Sequence, residues 1–280
     1  MKLRASWQLL KDKVNDILEK PILTSFLVLV LLFFFVIGLS LPYYIHDFYN
    51  FYGQVLSEAH GMLFDIAVIG ILIFWLQAQG ETRLRIRTYK DEIDDFRLWT
   101  SEEAAFRTVG NIKRLNRHKI YNINLVECYL SRTNLSYVVL KESNLNNANL
   151  SNSNLIEINL ENARLNQTNL ENSTLNQANL FGAYASGASF KDAYMIKTNL
   201  EKAFLIKANF KNAYLMEANL RGSYLTGADF EDASLYKADL RDSVGLTAEQ
   251  LLKAKTLYLA QIDEEILAQI KEQSPELIGK

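Results

Sequence analysis

The sequence predicts a mainly β chain. A solenoid of square coils follows a two-helix transmembrane hairpin and a charged helical linker, and a helical cap closes it. Three observations carry this reading. Residues 121–240 divide into twenty-four consecutive five-residue units in one unbroken register. Two apolar runs, about 22–41 and 60–78, precede the units and suit the length of a bilayer crossing. Between them and the repeat, residues 79–120 turn charged at helical spacing. A short fixed period signals a solenoid, which presents stacked surfaces more readily than a catalytic pocket.

From the N-terminus, residues 1–21 hold a cytoplasmic amphipathic helix. Trp7, Leu10, Val14, Ile17 and Leu18 share one face, with Lys and Asp on the other. Such a helix lies on the inner membrane surface or packs on the linker. Ile22 to Leu41 carries no charge and sits between Pro21 and Pro42. As a helix it spans ~30 Å. Its apolar core exceeds that of a cleaved signal, and no small-x-small site follows it. The second run, Gly61 to Gln77, is shorter and contains Asp65. An ionisable residue inside a span is a functional candidate; this one, near the outer end, is also explained by headgroup water.

Basic residues set the orientation. Lys2, Arg4, Lys11, Lys13 and Lys20 precede the first run, and Arg83, Arg85, Arg87 and Lys90 follow the second. The stretch from Pro42 to His60 has none, and its aromatics Tyr43, Tyr44, Phe48, Tyr49, Phe51 and Tyr52 suit a headgroup belt. The expectation is a multi-pass protein of the inner (plasma) membrane with both termini and the repeat in the cytoplasm. In the linker, Thr100 and Glu103 form a capping-box pattern. Lys113, Arg114, Arg117 and Lys119 follow as a candidate lipid contact. A solvated helix face and another polyanion are the competing readings; interleaved aromatics that would point to nucleic acid are missing.

In the repeat, the fifth position of each unit is Leu nineteen times, Phe at 190, 210 and 230, Met at 195 and Ala at 185. Two residues earlier the chain places Ala thirteen times, Ser four times and Thr three times; only Ile123, Cys128, Val138 and Ile158 differ. A period of five matches neither helix nor flat strand, so the chain turns a corner in each unit. Both special positions point inward, and pairing large with small avoids overfilling a narrow core. Six coils of twenty residues stack to roughly 30 Å.

Units such as NNANL, NQANL, IKANF, MEANL and TGADF resemble the A(D/N)LXX pattern of the pentapeptide repeat family. The resemblance implies a right-handed quadrilateral β-helix and says little about function. Some members of that family mimic DNA and protect gyrase, which needs a strongly acidic tower. Residues 121–242 hold thirteen acids and eleven bases, a net of −2, which argues against that role. At Ala185, with Gly182 and Gly187 beside it, the coil is expected to narrow or bend, with Phe181 or Phe190 leaning in.

Residues 244–280 read as the cap. Thr247 with Gln250 starts one helix and Asp263 starts another. Such helices cover the open edge of the coils. The single cysteine, Cys128, reads as a small buried filler. His46, His60 and His118 lie far apart, so no metal site is legible. No catalytic pattern or cofactor site stands out, and the expectation is no enzyme and no cofactor. A net charge of −2 for the whole chain gives no reason to expect nucleic acid.

Stacking at twenty residues sorts the outward positions by face. Tyr194 and Tyr214 align with Ile196, Met216 and Tyr236 beside them; Tyr184, Phe204 and Tyr224 align on the opposite face with Ile206 nearby. Exposed apolar patches mark interaction sites, although stacked aromatics also stabilise neighbouring strands. Two functions follow. One is a membrane-anchored scaffold whose repeat recruits a cytoplasmic protein. The other is a membrane effector or channel-like protein whose spans form a homo-oligomer, with Asp65, Gly38, Gly61 and Gly70 as the features that permit it.

Overall fold

The structure, a computed structural model, describes residues 48–279 together with 30, 31, 33–35, 37 and 38. The expected helix over 1–21 and most of the first apolar run lie outside the described residues. The chain divides into two units, Met1–Gln79 and Gly80–Lys280, each described on its own.

In the first unit, the described residues between 30 and 38 are helical. Helix α1 runs Phe48–Asp95 and continues past Gln79 into the second unit. Among the described residues, one helix, Tyr52–Asp95, is long and apolar enough to cross a membrane. The expected loop from Pro42 to His60 is corrected over its second half, since Phe48 to His60 is helical. Pro42 lies upstream of this stretch, and only Gly53 within it weakens a helix. A two-helix hairpin is not described, because its first arm falls largely outside the described residues.

The second unit opens with residues 80–95 of α1 and with α2, Glu102–Arg117. The two run antiparallel: the Arg107 guanidinium lies 5.5 Å from the Phe96 ring centre and that of Arg114 lies 5.5 Å from Tyr89. Ile93, Val109, Ile112 and Leu115 are buried in one cluster with Ile123 and Leu125 of the first coil. The cap of α2 is Ser101 rather than Thr100: the Ala104 N–H donates to its hydroxyl at 3.2 Å. Glu103 pairs instead with Arg107 at 2.9 Å. The serine stands one residue closer to the first free N–H groups, where its oxygen reaches them.

From Leu125 to Leu240 every fifth side chain is fully buried, and the residue two before each is buried as well. Each corner is a β-turn. The Cys128 N–H donates to the Leu125 carbonyl at 3.1 Å while Glu127 takes a φ of 59°. A positive φ at the second central residue alone matches the type II turn. The carbonyl of Arg164 accepts from the Leu145 N–H at 2.7 Å, one of the bonds that tie each coil to the next. Residue i bridges i+20 in parallel, from Asn124↔Asn144 to Tyr224↔Val244. The β content is therefore a set of single-residue bridges rather than continuous strands. Two of every five residues turn the corner, so no side is long enough for a strand.

Asn and Asp dominate the position before each centre. Their side chains accept from the N–H two residues on, as Asn209 does from Lys211 at 2.9 Å and Asp229 from Glu231 at 3.1 Å. The side chain imitates a backbone turn and sets up the next corner. Buried hydroxyls are satisfied too: Thr168 donates to the Leu145 carbonyl and Thr198 to Leu175, both at 2.8 Å.

The coil does not bend at Ala185. Its N–H donates to the Phe204 carbonyl at 2.8 Å, in line with its neighbours. Phe190, at the next corner, is fully buried and stacks on Phe210 at 5.0 Å, which stacks on Phe230 at 5.2 Å. A large ring beside a small residue keeps the coil filled. Phe181 stays partly exposed, with the Lys202 ammonium 5.5 Å from its ring centre. Gly182 and Gly187 sit at turn positions with φ of 61° and 67°, and side chains of Asn162 and Gln167 occupy the space that a Cβ would take.

The C-terminal segment departs from a purely helical cap. Thr247 and Gln250 do form a capping box, but the helix they start, α3, spans only Ala248–Leu251. The chain then resumes coiling: Ser234↔Thr256 and Asp239↔Gln261 bridge at an offset of 22. Two inserted residues accommodate α3, and Leu257 enters the core as another centre. Helix α4, Glu264–Gln273, and a 3-10 turn, Pro275–Leu277, follow. Asp263 makes no side-chain cap for α4; its carboxylate instead accepts from the Asp242 N–H at 3.1 Å.

Candidate interaction surface

The turn geometry just described leaves one outward residue per side at each coil, and twenty-residue stacking lines these up. Tyr184, Phe204 and Tyr224 form a ladder with ring centres 4.8 and 4.6 Å apart and planes within 5° of parallel. On the opposite side Tyr194 and Tyr214 stack at 4.8 Å with planes 2° apart. These distances equal the coil spacing, so the backbone itself sets the stack. Offset stacking contributes ~0.5–1.5 kcal/mol per pair beyond burial. The facing sides of the rings pack on one another, which leaves ring edges and phenol hydroxyls to solvent. Tyr184, Tyr194, Tyr214 and Tyr224 remain 44, 45, 39 and 36% exposed.

The flanking residues fall as the spacing predicts. Ile206 is exposed beside Phe204, while Ile196, Met216 and Tyr236 are half-buried on turns beside Tyr194 and Tyr214. Two further members join them. Tyr258 stacks against Tyr236 at 5.8 Å, and Val244 bridges Tyr224 and is exposed. Tyr258 stands 22 residues from its partner, and the two-residue insertion that hides it is visible only in three dimensions.

Opposite charges also stack between coils. Lys141 pairs with Glu161 at 2.6 Å, Lys211 with Glu231 at 2.7 Å and Lys197 with Glu217 at 3.6 Å. All are surface pairs, individually weak. Burial pushes the Cys128 thiol up to about 11, with Arg97 opposing and Asp94 adding to the rise. At neutral pH it is an inert filler.

Lys113, Arg114, Arg117 and Lys119 are exposed on the last turns of α2 and just beyond. Arg114 is partly committed: it donates to the Asn111 side chain at 2.8 Å and stacks over Tyr89. Asp65 is exposed on the apolar part of α1, in the first unit.

Comparison with known proteins agrees with this architecture. A family model described as pentapeptide repeats matches in overlapping segments, 123–162, 143–180, 153–192, 175–212 and 213–243. It describes a repeat, not a catalytic family. No curated protein matches the chain. Among solved structures, HetL, a protein involved in heterocyst differentiation regulation from the cyanobacterium Nostoc sp. strain PCC 7120, is similar. It shares 28% identity over 48% of this chain and 68% of its own, with a TM-score of 0.33. QnrB1, a plasmid-mediated fluoroquinolone resistance protein, shares 17% identity over 54% of this chain and 83% of its own, with a TM-score of 0.45. A pentapeptide repeat protein of the Arabidopsis thaliana thylakoid lumen shares 31% identity over 31% of this chain and 64% of its own, with a TM-score of 0.27. Residues 123–243, a solenoid of twenty-residue coils, thus match the pentapeptide repeat model along their whole length.

Proposed function

We propose that the protein is a non-enzymatic scaffold, anchored in a membrane, whose repeat domain binds a protein partner. The observation that carries this is the pair of aromatic ladders, half-exposed on opposite sides of a stiff column. Aromatic edges beside Ile206 on one side, and beside Ile196 and Met216 on the other, supply apolar contact area at low conformational cost. The apolar part of α1 and the run at 22–41 serve as the anchor, with the termini and repeat at the cytoplasmic face of the plasma membrane. The placement of lysine and arginine supports that orientation. Purification of the full chain from detergent-solubilised membranes, with the mass of the complex measured, tests the reading. A stoichiometric partner is expected to be lost on Tyr194→Ser with Tyr214→Ser, or on Tyr184→Ser with Phe204→Ser. A partner that survives both double variants overturns it.

A second reading rests on Asp65, an ionisable residue on an otherwise apolar stretch of α1. Here the spans self-associate as a membrane effector, and the repeat domain acts as sensor or assembly module. Depolarisation of cells on overexpression, abolished by Asp65→Leu, would favour it over simple anchoring.

A further inference from the structure

The antiparallel pair formed by residues 80–95 of α1 and by α2 is polarised in charge. At its base, residues 80–90 hold Arg83, Arg85, Arg87 and Lys90 against one carboxylate, Glu81. Residues 113–119, on α2 and just past it, add four more cations and no carboxylate. At the far end, residues 91–107 hold six carboxylates against two arginines.

The fold brings the two basic stretches together. Tyr89 lies under the Arg114 guanidinium at 5.5 Å and its ring centre is 6.4 Å from that of His118. Phe96 meets Arg107 seven residues further along each helix, so the pairing runs in register. Arg117 closes α2 and Lys119 follows just past its cap, one turn beyond the Arg114 that lies on Tyr89; Arg87, Arg85 and Arg83 precede Tyr89 along α1. Arg85 and Arg87 make loose surface pairs with Glu81 and Asp91, both at 3.6 Å. Arg83, Lys90, Lys113, Arg117 and Lys119 are exposed.

Helix dipoles do not account for the pattern. Acids at the start and bases at the end of α2 would suit its dipole. In α1, however, the basic stretch lies ahead of the last turn, which carries acids and no base, the reverse of what a dipole favours. The cations instead cluster where the chain passes into the apolar run that ends at Gln77.

We propose that the base of this helical pair binds the anionic headgroups of phospholipids, with Arg83, Arg117 and Lys119 as its core. The proposal rests on the membrane reading above. Basic residues beside a membrane segment are each drawn to an anionic surface, enough together for a measurable lipid preference.

The test reconstitutes the full chain into phosphatidylcholine vesicles doped with spin-labelled phosphatidylglycerol or spin-labelled phosphatidylcholine. The immobilised fraction of each lipid is read. The expected result is a preference for phosphatidylglycerol on the order of tenfold. Molar salt should remove it, since the Debye length falls to about 3 Å. The triple variant Arg83→Gln, Arg117→Gln, Lys119→Gln should lose the preference, while Lys202→Gln with Lys207→Gln and Lys211→Gln, on the coils, should keep it. Equal immobilisation of both lipids overturns the proposal alone, as does a preference that the first triple variant retains. Displacement by millimolar glycerophosphate overturns it in favour of a soluble anion. Failure of the chain to enter even neutral vesicles overturns the membrane reading and this proposal together.

Discussion

Nearly every corner of the column places a non-glycine residue at positive φ, from Glu127 to Asp242. For an ordinary L-residue that conformation costs ~1–2 kcal/mol, and the column bears the cost repeatedly because each turn is locked by the bonds of the coils beside it. Asn at many of these sites lessens it; Tyr137, Lys197 and Glu217 do not. The buried positions are chemically quiet by contrast. Cys128, with its thiol held near 11 by burial, should resist thiol reagents at pH 8 until the domain unfolds. Stoichiometric labelling of the native protein would contradict this. Asp239 shows the opposite behaviour. The Arg241 guanidinium donates to its carboxylate at 2.6 Å and holds its pKa below the ordinary 3.8. A depressed carboxyl stabilises the fold above its unfolded-state pKa, and that contribution fades as pH drops through the folded value. The stability gap between wild type and Asp239→Asn should therefore be present at pH 7 and close below about pH 4 in denaturant titrations at both pH values.

At the scale of elements, both ends of the column are sealed by side chains that stand in for backbone. Asn116 at the end of α2 accepts from the Val139 N–H at 2.8 Å and donates to its carbonyl at 2.9 Å, as a neighbouring strand would. At the other end the Gln250 amide donates to the carbonyls of Leu225 at 2.9 Å and Ala228 at 2.8 Å. Each replaces a coil that is not there, which is how an open edge is kept from pairing with another molecule. Asn116→Ala leaves two part-buried backbone groups of Val139 without partners and should cost about 1–3 kcal/mol. Hydrogen exchange should accelerate at Val139 and along the first coil; unchanged protection there would count against the capping role.

For the whole molecule, each coil contacts only its neighbours, so stability is distributed along a line. The buried ladder Phe190, Phe210 and Phe230 ties three coils together. Phe210→Ala should lower stability by ~3–5 kcal/mol through the cavity it leaves. Exchange should rise first in the coils around residue 210 and least in the first coil and its helical cap. A uniform loss of protection from end to end would show that the column opens as one body instead.

The period of five, the Leu-with-small pairing and the length of the apolar runs depend only on order along the chain. They sufficed for the solenoid, its buried set and the alignment of Tyr184, Phe204 and Tyr224, because a repeat carries its register with it. The tertiary structure alone decided what breaks that register. The two residues inserted at α3 move Tyr258 onto Tyr236, and the coil runs straight through Ala185 with Phe190 stacked on Phe210 at the next corner. It also joined Arg114 and His118 to Tyr89 across twenty-five and twenty-nine residues of chain. Those contacts depend on how elements dock rather than on any periodic signal, and docking is settled by packing between segments remote in sequence.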